Sequence, residues 1–97
     1  MSVTIDDYRY KLLKDIAGSA SQQETKRFID VAMMDLDEHK ISVTQVSQFI
    51  DLMIHDLGYR DQTDNSKRQS GNIRIARIHL NEIKLNRKFG GGSPGEN

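Results

Sequence analysis

Residues Asn72 to Phe89 read NIRIARIHLNEIKLNRKF. The first half alternates apolar and polar residues through Ile73, Ile75, Ile78 and Leu80, which admits a strand, but the alternation slips at Ala76-Arg77. No partner strand is evident elsewhere, so the stretch is predicted to be helical. At 100° per residue its positions sort into three groups. Ile73, Ala76, Leu80 and Ile83 make one apolar strip, and Ile75, Ile78, Leu85 and Phe89 make a second on roughly the far side. Between them run Arg74, Arg77, Asn81, Lys84 and Lys88, a basic line at spacings of three and four. A helix apolar on two sides must be covered on two sides.

The rest of the chain offers three short helices to cover it. The first is expected from about Ile5 to Ala17. Thr4 serves as N-cap, Asp6 and Asp7 sit where carboxylates favour the helix dipole, and Gly18 ends the pattern. Ile5, Tyr8, Leu12 and Ile16 give it an apolar face. Ser21-Gln22-Gln23-Glu24 has the capping-box form and opens the second, with Phe28, Ile29, Ala32, Met33 and Leu36 as its inner stripe. Val31 and Met34 fall on the opposite side. Ser42-Val43-Thr44-Gln45 is another capping box, followed by Val46, Phe49, Ile50, Met53 and Leu57. Gly58 is read as a left-handed residue just past that helix, with Tyr59 folding back on Ile54.

Residues 60–71 read RDQTDNSKRQSG, without one apolar side chain, and are expected to be a mobile polar loop. Residues 90–97, GGGSPGEN, are expected to be a disordered tail. The fold class predicted is therefore all-α: a bundle of about four helices over residues 1–89, plus that tail. Composition agrees. The 97 residues suit one small domain, and a single Pro with seven Gly argues against a turn-rich sandwich. No run reaches the ~18 apolar residues of a membrane span. Met1 to Asp7 lacks the order of a secretory signal, so a cytoplasmic protein with no membrane partner is expected.

Cysteine is absent, which removes disulfides, thiolate zinc sites and thiol nucleophiles. The histidines, His39, His55 and His79, include two i, i+4 pairs with carboxylates, Asp35–His39 and Asp51–His55. In an antiparallel hairpin those pairs lie at opposite ends, so they read as solvated helix surface. Ser19, Ser21 and Ser42 read as capping residues. No glycine-rich phosphate loop, HExxH or GxSxG is found. The expectation is no catalytic residue, no metal and no cofactor.

Residues 41–50, Ile-Ser-Val-Thr-Gln-Val-Ser-Gln-Phe-Ile, resemble the recognition-helix segment of helix-turn-helix repressors of the LacI type. Such a resemblance implies DNA contact, which rests largely on cations meeting phosphates. Ser42 to Leu57 contains no Lys or Arg, and the residues before it lack that family's small-residue and Gly turn. Shared capping chemistry accounts for the ten-residue likeness, and no family is assigned from it.

Charge is the second clue. The chain is neutral overall, but residues 1–57 hold ten acidic and six basic groups, whereas residues 58–97 hold eight basic and four acidic. A net −4 half therefore faces a net +4 half, which bears on partners. Two functions are weighed. The first is a non-enzymatic interaction module (adaptor, regulator or assembly component), probing its partner through Ile75, Ile78, Leu85 and Phe89. A second copy of the chain is the favoured partner, another protein is the competing one, and a helix central in its own bundle is the third reading. Leaving such a strip wet forgoes ~1.5–3 kcal/mol per aliphatic side chain. The alternative is nucleic-acid binding, with Lys67, Arg68, Arg74, Arg77, Lys84 and Lys88 meeting phosphates. A pI near 6.8 weakens it, because a domain pI above ~9 is the usual footprint.

Overall fold

The computed structural model describes residues 4–63 and 65–87. They form four α-helices and, among the described residues, no strand: α1 (Ile5–Gly18), α2 (Gln22–Glu38), α3 (Val43–Arg60) and α4 (Lys67–Arg87). The all-α bundle is thus as the sequence reads. The tail lies outside the described residues, as do Lys88 and Phe89.

Local chemistry fixes the helix starts. Thr4 accepts from the Asp7 amide while Asp7 Oδ2 accepts from the Thr4 amide, a reciprocal capping box. Ser21 and Ser42 cap α2 and α3 through the amides of Glu24 and Gln45. Ser19 is different. It follows α1 and is fully buried, with its hydroxyl donating to Ile16 O and bonded to Thr25 Oγ1. The tight α1–α2 turn is therefore a polar knot inside the bundle. Asn72 of α4 joins it, donating from Nδ2 to Ser19 O at 3.0 Å across 53 residues of sequence.

Two helix ends depart from expectation. The glycine-type ending predicted at Gly58 is absent: α3 runs through Gly58 and Tyr59 to Arg60, and Tyr59 is exposed. The motif occurs instead at the end of α2. There the Ile41 amide bonds Leu36 O and the Lys40 amide bonds Asp37 O, and Lys40 takes φ 56°, a left-handed conformation. Ile41 then packs against the core beside that turn.

The polar loop is also shorter than predicted. α4 starts at Lys67, so Lys67 to Gly71, expected in a mobile loop, are helical. Ser66 accepts from the Gln69 amide at 3.1 Å and Gln69 Oε1 accepts from the Ser66 amide at 3.0 Å. Ser66-Lys67-Arg68-Gln69 is a reciprocal capping box with the same Ser-x-x-Gln sequence as Ser42 to Gln45. In the remaining loop, Thr63 Oγ1 and Asn65 Nδ2 both donate to Arg60 O, satisfying a carbonyl at the end of α3.

α4 packs against α1, α2 and α3, and α1 touches all three others, whereas α2 and α3 barely meet. α1 and α4 thus fill the space between α2 and α3. The core is formed by Leu12, Leu13 and Ile16 of α1 and by Ile29, Met33 and Leu36 of α2. Val46, Phe49, Ile50, Met53 and Leu57 of α3 complete it with Ile73, Ala76 and Leu80 of α4. These are the predicted stripes, with Leu13 added.

Candidate interaction face on the fourth helix

The inner strip of α4 is buried as its spacing requires: Leu80 and Ala76 are sealed, Ile73 nearly so, and Ile83 is partly covered. The second strip divides. Ile75 is half-buried, while Ile78 and Leu85 are 54% and 74% exposed. Phe89 lies outside the described residues. The bundle therefore covers one side of α4 and leaves the other open around Ile78 and Leu85. Arg74, Asn81 and Glu82 are exposed beside them.

Arg77 and Lys84 of the basic line are engaged by the chain itself, as is Arg87 beside it. Arg87 makes a two-pronged contact with Asp37 of α2, NH1 to Oδ1 at 3.0 Å and NH2 to Oδ2 at 2.7 Å. This hydrogen bonding holds the Asp37 carboxyl below its ordinary pKa and raises that of Arg87. Lys84 donates to Asp51 of α3. Arg77 extends across Gly58 of α3 to within 3.9 Å of Asp61. The opposite charge of the two halves thus stitches α4 to α2 and α3. Lys67, Arg68 and Arg74 have no ion pair among the described residues. Lys88 lies outside them.

His79 sits on the α2 side of α4. Its Nε2 is 2.7 Å from Asp30 Oδ1, so that nitrogen carries the proton and donates to the carboxylate. Its Nδ1 is buried without a hydrogen bond, 3.8 Å from Glu82 Oε1. Asp35–His39 and Asp51–His55, read from the sequence as solvated helix surface, form no hydrogen bond between their side chains among the described residues. His39 Nδ1 lies 2.8 Å from Asp35 O and 2.9 Å from the Tyr8 hydroxyl, while Asp51 turns to Lys84. Partial desolvation, with Asp35 and Glu38 nearby, raises the Tyr8 pKa. Among the described residues no cluster of three or more His, Asp or Glu could hold a metal, and no helix is long and apolar enough to cross a membrane.

The sequence reading passed over a groove between α1 and α3. Arg9, Tyr10, Leu13, Asp56, Tyr59 and Arg60 line it, with Tyr10 and Tyr59 exposed. The Arg9 guanidinium lies 5.3 Å from the Tyr10 ring centre and Nε is 3.3 Å from Asp56. Tyr10 and Tyr59 lie outside the apolar stripes of α1 and α3, a position that could have flagged them.

Comparison with protein-family models, curated proteins and solved structures finds no match for this chain.

Proposed function

We propose that this chain is a non-enzymatic interaction module of the cytoplasm, serving as an adaptor, regulator or assembly component, and that it self-associates through the outward face of α4. The observation that carries this reading is the open side of the helix, where Ile78 and Leu85 stand in water while Leu80, between them in sequence, is sealed in the core. Covering an aliphatic side chain contributes ~1.5–3 kcal/mol when burial is complete. Each such side chain counts twice across a symmetric interface.

The intrachain ion pairs favour this reading over nucleic-acid binding. Of the six cations read as phosphate contacts, Arg77 and Lys84 would have to give up Asp61 and Asp51 before meeting phosphate. Of those six, Lys67, Arg68 and Arg74 have no ion pair among the described residues, and Lys88 lies outside them.

The test is the mass of the purified protein by light scattering, with and without nuclease. Association at tens of micromolar that survives nuclease supports the proposal. Ile78→Asp or Leu85→Asp should then reduce assembly while far-UV circular dichroism stays helical. A monomer at that concentration refutes it, and a particle that shrinks with nuclease favours the nucleic-acid reading.

A further inference from the structure

The outward face of α4 carries its own complement. Arg74, Ile78 and Glu82 follow one another at intervals of four, and Arg74 and Glu82 are exposed on either side of Ile78. Each step of four advances about 6 Å along the helix and about 40° around it, so cation and anion stand at equal distances above and below the isoleucine. We propose, resting on the self-association just argued, that two copies pair α4 against α4 in antiparallel sense, with the two-fold axis beside Ile78.

The charge pattern selects this direction. In the antiparallel pair the residue opposite position i is 156 − i by symmetry about Ile78. Arg74 of each copy then meets Glu82 of the other, and the ion pair forms twice. Ile78 packs on Ile78 at the axis, and Ile75 lies opposite Asn81. Leu85 falls opposite Gly71, where the end of the Gln22 side chain lies against the helix and must turn aside to admit the leucine. A parallel pair in register sets Arg74 against Arg74 and Glu82 against Glu82, and like charges directly opposed across an interface disfavour it. Lys84 and Arg77 are turned toward Asp51 of α3 and Asp61 just past its end, Arg87 is turned toward Asp37 of α2, and Lys67 and Arg68 lie six or more residues before Arg74 in the first turn of the helix. Glu82 remains 63% exposed even with His79 nearby, so its carboxylate is available to a second chain.

Charge reversal tests the pairing. Arg74→Glu alone and Glu82→Arg alone should each weaken dimerisation about tenfold or more, because every single reversal introduces two like-charge contacts. The double variant should return the dissociation constant to within about threefold of the parent. Cross-linking supplies an independent arm, since the chain has no cysteine of its own. Oxidising a mixture of Arg74→Cys and Glu82→Cys chains should trap the mixed 74–82 disulfide, and neither chain alone should trap itself. A dimer in which Glu82→Cys links to itself, or in which the double reversal is no better than the singles, overturns the antiparallel pairing but leaves self-association standing. A chain that stays monomeric throughout overturns both.

Discussion

Leu80 and Leu85 lie five residues apart on one helix, are chemically identical and occupy opposite environments, so truncating each to alanine measures what the bundle covers and what it leaves. Leu80 is 0% exposed, and Leu→Ala at such a site costs ~2–5 kcal/mol, the spread reflecting how far the cavity collapses. With a melting shift of ~4–8 °C per kcal/mol for a domain of this size, Leu80→Ala should melt at least about 10 °C lower. Leu85 is 74% exposed, so only about a quarter of its surface is covered within the chain. Three carbons at ~0.8 kcal/mol each, scaled by that quarter, give about 0.6 kcal/mol for Leu85→Ala in dilute solution. A self-associating chain adds a term that grows with concentration. Urea denaturation at two concentrations roughly a hundredfold apart separates the terms. The Leu80→Ala deficit should be large in both samples, and the Leu85→Ala deficit should be small when dilute and larger when concentrated. Equal losses for the two variants in dilute solution would refute the placement of α4, and a Leu85→Ala deficit indifferent to concentration would refute its role in assembly.

Further tests address the helix ends and ion pairs. Lys40→Gly should stabilise the fold by up to about 1 kcal/mol, since glycine takes the left-handed backbone without the side-chain penalty, read by thermal melting. Gly58→Ala should also stabilise, by about 0.5–1 kcal/mol, because Gly58 is helical and an added Cβ would meet the Arg77 guanidinium at an ordinary 3.6 Å. A loss there would restore the left-handed ending. Ser66→Ala removes half of the capping box of α4 and should cost about 1 kcal/mol, with amide exchange quickening at Gln69. The Asp37 carboxyl is held below its ordinary pKa by Arg87, so its contribution is present above the unfolded value and disappears as pH falls through the folded one. As a half-exposed pair it contributes about 0.2–1 kcal/mol. Asp37→Asn should therefore lower stability at neutral pH and flatten its decline in acid below about pH 4.

The bundle was legible because the apolar stripes of α1 to α3 and the inner strip of α4 obey helical spacing, and because two Ser-led capping boxes mark starts that the backbone then uses. A third box, Ser66 to Gln69, carried the same signal but was hidden by the wholly polar run around it, where the absence of apolar residues outweighed the cap. Glycine misled in the other direction. Gly58 resembles a helix stop, yet α3 runs through it, and the left-handed ending falls at Lys40 after α2, where Ile41 gains core contacts that offset the strained backbone. For the candidate face, spacing alone separated the two sides of α4. It could not show that Arg77, Lys84 and Arg87 would be claimed by Asp61, Asp51 and Asp37, because those partners come from other helices or from the turn after α3 and their meeting depends on packing.

The position of α4 also bears on how the molecule comes together. α2 and α3 barely touch each other, and α4 brings to the gap between them both Leu80 and the cations that balance their carboxylates. During synthesis the first sixty residues would emerge as an acidic, greasy trio with an empty slot. α4 works as a keystone, so closure of the bundle must wait for it to clear the ribosome, and a chain cut short before it would be left sticky and unsealed.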